Sequence, residues 1–515
     1  MIKKRRGQLL LNVGSTYGAR GTSIVTLLVL FPLVLQSVGP SAFGAYLLVS
    51  STAVLLQSDL GLGSAAVTRI ARAMAQNDVA GARAVARSSA LIFWSLGALS
   101  AVIYLAVFAV GWQHFNLPTG LRSDVRDMAL LASMQCLIAL GGSVSRQVLT
   151  AVGRLDVANY VQIGCALCRI LVTIAALSLG ATIVGVVLID TATVSAIAVT
   201  MWICRRRVAP QLSGRRGGHR SAALKGMLTL NLSLVAMTLA GTAVMQSPSL
   251  ILSFKSTVGA VAVFGAAFRV YQLCKEASSA LGVALLPNAA QMATDKDSIA
   301  RLFIDGTRYA NALLMSVALP VLLFAEPLLD LWVGSELSDG ALAAKLLVLS
   351  LLVSNNHLIG FPVMTARGRL RGYATLHLLW AALTIGIGIQ LVGAYGPTGM
   401  AIAVLAPVVV LEPAYLSLVL RELQIPARTF ARSQALPVLL GLTILGVSTA
   451  TITGAADMEG PAAVVLASAL VSFIYATLFW WLDRSRRRSR NYLNSGTSPV
   501  DTHEDMAPSN GRSKR

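Results

Sequence analysis

Charged and amide side chains are expensive inside apolar stretches, and this chain places several there. At bilayer depth a charge costs about 2.5–3.5 kcal/mol on insertion scales, so each one is a candidate for function. Asn12, Thr16, Arg20 and Ser23 recur at three- and four-residue steps and share a helix face within about 80°. Asn231, Thr238, Thr242 and Gln246 form a second stripe; Arg269, Gln272 and Glu276 form a third. A guanidinium offers a planar fork for phosphate oxygens, so Arg20 and Arg269 are the best candidates for binding an anion. Asn12, Thr16, Ser23, Asn231, Thr238, Thr242 and Gln272 would supply the polar remainder of a shared cavity. Lys275 points about 120° away from Arg269 on the same helix.

Other embedded groups suggest other chemistry. Glu276, Asp59 and His357 are candidates for carrying a coupling ion, and Asp190 and Glu412 are further ones. Arg169 and Asp190 flank the turn at Gly180 and lie about 15 Å from it, which predicts a structural ion pair across a helical hairpin. Ser354-Asn355-Asn356-His357 crowds four polar groups together, a pattern suited to bridging helices. Arg146 can snorkel, and Glu326 and Asp330 can reach water. No Walker A sequence, nucleophile elbow or H-E-x-x-H pattern occurs. All five cysteines lie in apolar runs, and the Cys165–Cys168 pair has no further ligands nearby. The expectation is a protein that is not an enzyme and holds no metal or cofactor.

The elements that must position these groups follow from composition. Of 515 residues, 55% are hydrophobic and only 12% charged, against about 25% charged in soluble chains. Mean hydropathy is +0.70. Too few charges remain to coat a soluble surface of this size, which excludes a soluble enzyme, a disordered chain and a disulfide-stapled module. A span needs about 20 apolar residues. Fourteen candidates occur, at 10–36, 42–63, 88–112, 128–150, 158–179, 181–204, 226–253, 258–289, 309–332, 341–365, 373–394, 398–420, 433–455 and 461–482. The first continues too far past Arg20 to be a cleavable signal.

The net charge of +20 lies in short breaks between these runs, not along one soluble face, so it argues for topology and against nucleic acid. With both termini cytoplasmic, 33 Lys and Arg fall in cytoplasmic segments and 3 in outer loops. An odd number of spans would put this bias out of phase.

The chain also repeats itself. Val148-Leu-Thr-Ala-Val-Gly-Arg-Leu155 returns as Val363-Met-Thr-Ala-Arg-Gly-Arg-Leu370, six identities in eight positions at an offset of 215. Phe43-Gly44 returns as Phe264-Gly265, Leu60-Gly61 as Leu281-Gly282, and Gly180 as Gly396. Two copies of a six-helix unit follow, and an even number makes them parallel. The expected fold is all-α and polytopic, with an N-terminal lobe at 1–204, a basic cytoplasmic linker at 205–225 and a C-terminal lobe at 226–420. Two extra spans follow at 433–482, then a disordered basic cytoplasmic tail at 484–515. The first and seventh spans should face each other, with the second and eighth beside them.

Taken in order, the Val38-Gly-Pro-Ser-Ala-Phe-Gly-Ala-Tyr46 turn, Ser58-Asp-Leu-Gly-Leu-Gly-Ser64, the basic helix from Ala71, the Gly-Arg-Leu turns and Tyr395-Gly-Pro-Thr-Gly399 form a pattern. It resembles the Wzx-type polysaccharide flippases of the multidrug/oligosaccharidyl-lipid/polysaccharide exporter superfamily. The resemblance implies two lobes arranged in a V around a cationic cavity, in a bacterial cytoplasmic (inner) membrane. It also implies translocation of undecaprenyl-diphosphate-linked oligosaccharide for exopolysaccharide, capsule or lipopolysaccharide O-antigen synthesis, with Arg20 and Arg269 taking the diphosphate. Expected partners are that substrate and membrane lipids; polysaccharide polymerase machinery and a coupling proton or sodium ion are further candidates. A cation-coupled drug or metabolite antiporter is the alternative, but it would want a carboxylate-rich cavity. A membrane polymerase would need a larger outer loop than residues 113–127 provide.

Overall fold

The computed structural model describes residues 2–111, 113–212, 232–291, 295–452 and 460–495. Among these, every regular element is helical. The first half holds α1 (Ile2–Val38), α2 (Pro40–Leu56), α3 (Leu62–Ala75), α4 (Val79–Gly111), α5 (Arg122–Ala151), α6 (Leu155–Ser178) and α7 (Ile183–Val208). The second holds α8 (Leu232–Lys255), α9 (Val258–Gln291), α10 (Lys296–Val333), α11 (Ala341–Ala366) and α12 (Arg371–Leu423), followed by α13 (Ala427–Ile452) and α14 (Pro461–Ser495). Twelve of these are long and apolar enough to cross a membrane, and α2 is a shorter apolar helix. The 53-residue α12 is broken at Gly396 (φ 50°, ψ −130°), so it makes two passes. Fourteen passes result among the described residues. The chain is a multi-pass membrane protein of all-α fold, and the side on which α1 begins is here called the N-terminal side.

The repeat is visible in backbone geometry. Gly153 and Gly368 take φ of 78° and 69°, and Gly180 and Gly396 take 80° and 50°. These are values that a side chain resists. Each pair turns the chain at the same point of its half. The copies differ where α2 stops at Leu56 but α9 runs on to Gln291. Leu60-Gly61 therefore lies in a turn, whereas Leu281-Gly282 lies within a helix.

The halves meet chiefly where α2 crosses α9, and α2 also packs on α8. The crossing is close because both helices present glycine there. A Cβ on Gly44 would strike the Val258 carbonyl, and one on Gly265 would strike Leu47. Phe31, Phe43, Leu48, Leu252, Val261 and Phe264 share one buried core around it. On the side opposite the N-terminus, Asn116 Nδ2 donates to Ser256 O at 2.7 Å and Trp332 Nε1 donates to Leu28 O at 3.1 Å. The expected facing of the first and seventh spans is not what packs the halves together: α1 lies mainly along α6.

One boundary near the C-terminus differs from expectation. The tail expected to be disordered from Arg484 continues as helix to Ser495, because arginine is a good helix former and Arg484 stacks 5.1 Å from the Trp480 ring centroid. Residues 496–515, and the linker from 213 onward, lie outside the described residues. The C-terminal helices are tied to α10 by polar contacts. Asp483 pairs with Arg308 and accepts from Tyr309 Oη at 3.0 Å, and Asn311 Nδ2 donates to Gln434 Oε1 at 3.1 Å.

Candidate functional site

A cavity of about 510 Å³ opens in the first half between α1, α2, α5, α6 and α7, with Arg269 of α9 completing its wall. A second, of about 420 Å³, lies in the second half between α8, α9, α11 and α12. Val54 of α2 lines both. Each cavity thus takes most of its wall from one copy of the repeat and one residue from the other.

The first cavity carries the cations. Arg169 Nε stands 2.6 Å from Asp190 Oδ1, and Tyr46 Oη donates to Asp190 Oδ2 at 2.8 Å. Arg169 and Asp190 bridge α6 and α7, and both also line the cavity, so the pair is part of its wall as well as a tie within the hairpin. Arg269 Nη1 donates to Gln272 Oε1 at 2.6 Å. Among the described residues no carboxylate pairs with Arg269. Eleven residues from Val258, it lies about 17 Å along α9, close to the middle of a 30 Å hydrocarbon core. Two guanidinium groups and one carboxylate therefore leave this cavity one positive charge in excess. Ser23, Thr22, Thr26, Gln57, Gln135 and Gln162 add hydrogen-bonding groups to the wall.

The α1 stripe does not act as one unit. Ser23 reaches the cavity, but Asn12 Oδ1 accepts from Asp156 N at 3.0 Å and Asn12 Nδ2 donates to Gly153 O at 3.1 Å. Thr16 Oγ1 accepts from Asn159 Nδ2 at 3.1 Å. Asn12 and Thr16 are thus spent on seating α6 against α1 because that face is covered there. Arg20 is not in the cavity wall either. Its Nη1 lies 3.8 Å from Glu276 Oε2 across the halves, with the two side chains 34% and 49% exposed. Both lie about 27 Å from the far ends of their helices, near the N-terminal side. Asp59 falls in the turn after α2, not in a span, and its carboxylate accepts from Gly61 N and Gly63 N to cap α3.

The second cavity takes Thr238, Thr242, Gln246, Lys275 and His357 from the expected residues. Asn231 lies outside the described residues. His357 Nδ1 is 2.5 Å from Glu412 Oε2, joining two residues that the sequence left unconnected. His357 also stacks on Tyr415 at 4.2 Å, and Tyr415 Oη lies 2.8 Å from His377 Nδ1. Asn355 and Asn356 face the other way and bond to Asn311 of α10 at 2.7 and 3.0 Å. Sequence reasoning missed Tyr46, Gln162, His377 and Trp380. A signal existed for two of them: Gln162 and His377 stand at the repeat offset of 215, each lining its own half's cavity.

No protein-family model matches the chain, and no curated protein matches it. Solved structures do. An inward-facing multidrug resistance MATE-family transporter of the MOP superfamily superposes with a TM-score of 0.67 at 16% identity, covering 79% of this chain and 94% of that one. An outward-facing conformation of a MATE-family transporter gives 0.59 at 17% identity, covering 81% and 95%. The lipid II flippase MurJ in an inward closed conformation gives 0.64 at 14% identity, covering 92% of this chain and 99% of that one. The twelve passes end at Leu423, about four fifths of the chain, so the MurJ likeness reaches into the two added helices. The fold is the one these transporters share.

Proposed function

We propose that the chain moves a lipid-linked oligosaccharide carrying a diphosphate across a bacterial inner membrane, by alternating access of its two halves. The observation that carries this reading is Arg269, a cation at mid-membrane depth whose hydrogen-bond partner is an amide and not a carboxylate. Such a charge is costly unless an anion visits it. Arg169 stands in the same wall but is already answered by Asp190 and Tyr46. Arg269 therefore takes the phosphate oxygens, Arg169 neutralises the carboxylate in the wall so that it does not repel them, and the hydroxyls and amides of the wall face the remaining polar groups. Arg20, paired with Glu276 across the halves, stands nearer the N-terminal side, which the loop charge bias assigns to the cytoplasm. The halves rock about the glycine crossing of α2 and α9, and the lipid tail stays in the bilayer.

One observation favours a second reading, a cation-coupled antiporter: His357 and Glu412 form a buried acid–base pair beside the second cavity. It is also compatible with a proton driving lipid transport. A deletion strain separates the two. Loss of surface polysaccharide with lipid-linked precursor accumulating inside supports the flippase. Unchanged polysaccharide with heightened sensitivity to cationic drugs supports the antiporter.

A further inference from the structure

The second cavity has its own chemistry. Its wall combines the rings of Tyr271, His377 and Trp380 with the hydroxyls of Thr238 and Thr242 and the amide of Gln246. Flat aromatic faces beside convergent hydrogen-bonding groups suit a sugar ring, which has apolar C–H faces and a hydroxyl rim. Lys275 adds one positive charge, held 5.9 Å from the Tyr271 ring centroid. Among the described residues no carboxylate pairs with it. Of the neighbouring acid–base groups, His357 is held by Glu412 beside the cavity, and His377 Nδ1 meets Tyr415 Oη and the Tyr373 carbonyl. Trp380 Nε1 is buried without an acceptor among the described residues, so the indole is placed by packing and not by a hydrogen bond of its own.

The two cavities are linked through one helix. Lys275 follows Arg269 by six residues, which is about 9 Å along α9 and about 120° around it. Hence α9 presents Arg269 to the first cavity and Lys275 to the second, with Lys275 nearer the N-terminal side. A head group loaded from that side, with its diphosphate at Arg269, trails its sugar toward Lys275.

We infer that the second cavity is a sugar subsite and that Lys275 selects a sugar bearing a carboxylate, such as a uronic acid. This inference rests on the anionic-lipid reading above and gives it a substrate class. Ordinary neutral sugars would stack on Trp380 but leave the lysine desolvated and unanswered.

Three probes test it on the purified full-length protein in detergent: farnesyl diphosphate, farnesyl-diphosphate-linked glucose and farnesyl-diphosphate-linked glucuronate. The wild-type protein is expected to bind the glucuronate probe about tenfold more tightly than the glucose probe, the gain of one charge-assisted hydrogen bond. Lys275→Met should erase that preference while leaving affinity for farnesyl diphosphate unchanged, which also reports that the variant is folded. Trp380→Leu should reduce both sugar probes to the affinity of farnesyl diphosphate. Equal binding of the two sugar probes by the wild type, or a preference that survives Lys275→Met, would overturn the inference and leave the anionic-lipid reading standing. If farnesyl diphosphate itself fails to bind, the anionic-lipid reading falls and takes the subsite with it.

Discussion

Arg169 and Arg269 show why the same residue type plays two parts in one cavity. Arg169 faces a carboxylate at 2.6 Å, so its field is largely cancelled at home. Arg269 faces an amide, so its field remains for a visitor. The sequence revealed both as embedded charges, and the nearly equal distances of Arg169 and Asp190 from Gly180 set those two side by side. It did not reveal that Tyr46 of α2 joins them, because nothing local in a chain marks which distant helix will close a wall. The stripe on α1 failed for a related reason. Helical spacing places Asn12, Thr16, Arg20 and Ser23 on one face, but that face meets α6 at one level, Glu276 at the next and the cavity only beyond. The pair makes its own prediction. Asp190→Asn should cost about 3–5 kcal/mol by leaving Arg169 uncompensated, and the double variant Arg169→Gln/Asp190→Asn should cost less. Thermal unfolding in detergent checks it with the Arg169→Gln single variant completing the cycle; losses that add would mean that the two charges are not coupled.

At the level of helices, the period of apolar residues made the fourteen passes legible, since length and hydropathy are local properties. Where helices stop was less legible. The apolar run continues past Asp59 and so includes it in a span, yet its carboxylate caps α3. Arg484 to Ser495 was expected to be loose because the segment is polar, yet it extends α14. The glycines of the repeat carried more information than their turns suggested, for Gly44 and Gly265 allow α2 and α9 to cross with almost no space between them. Gly44→Leu should therefore abolish transport and lower the yield of folded protein, because the side chain meets the Val258 backbone. Gly259→Ala is the control on α9, the residue after Val258, where the nearest atom, Thr257 Oγ1, stands at an ordinary 3.6 Å. If Gly44→Leu is tolerated as well as Gly259→Ala in transport and in yield, the crossing is not what holds the halves together.

Across the whole molecule, two parallel copies of a six-helix unit divide the chemistry unequally. The first cavity holds Arg169, Arg269 and Asp190, and the second holds Lys275 and His357, with Glu412 paired to His357 behind the wall. The repeat predicted matching architecture, and the backbone turns match. The side chains have diverged, as Arg169 stands at the repeat position of Thr384. That asymmetry is what a substrate with an anionic end and a sugar end would require. Arg269 is the point on which this account turns, and it is best tested in proteoliposomes. The measurement is the rate at which a fluorescent prenyl-diphosphate-linked saccharide crosses the bilayer with the wild-type protein, Arg269→Gln and Arg269→Lys at matched reconstitution. The expected result is a loss of about tenfold or more with glutamine and partial recovery with lysine, which restores the charge but not the planar fork. Equal rates for all three would contradict an anion site at Arg269.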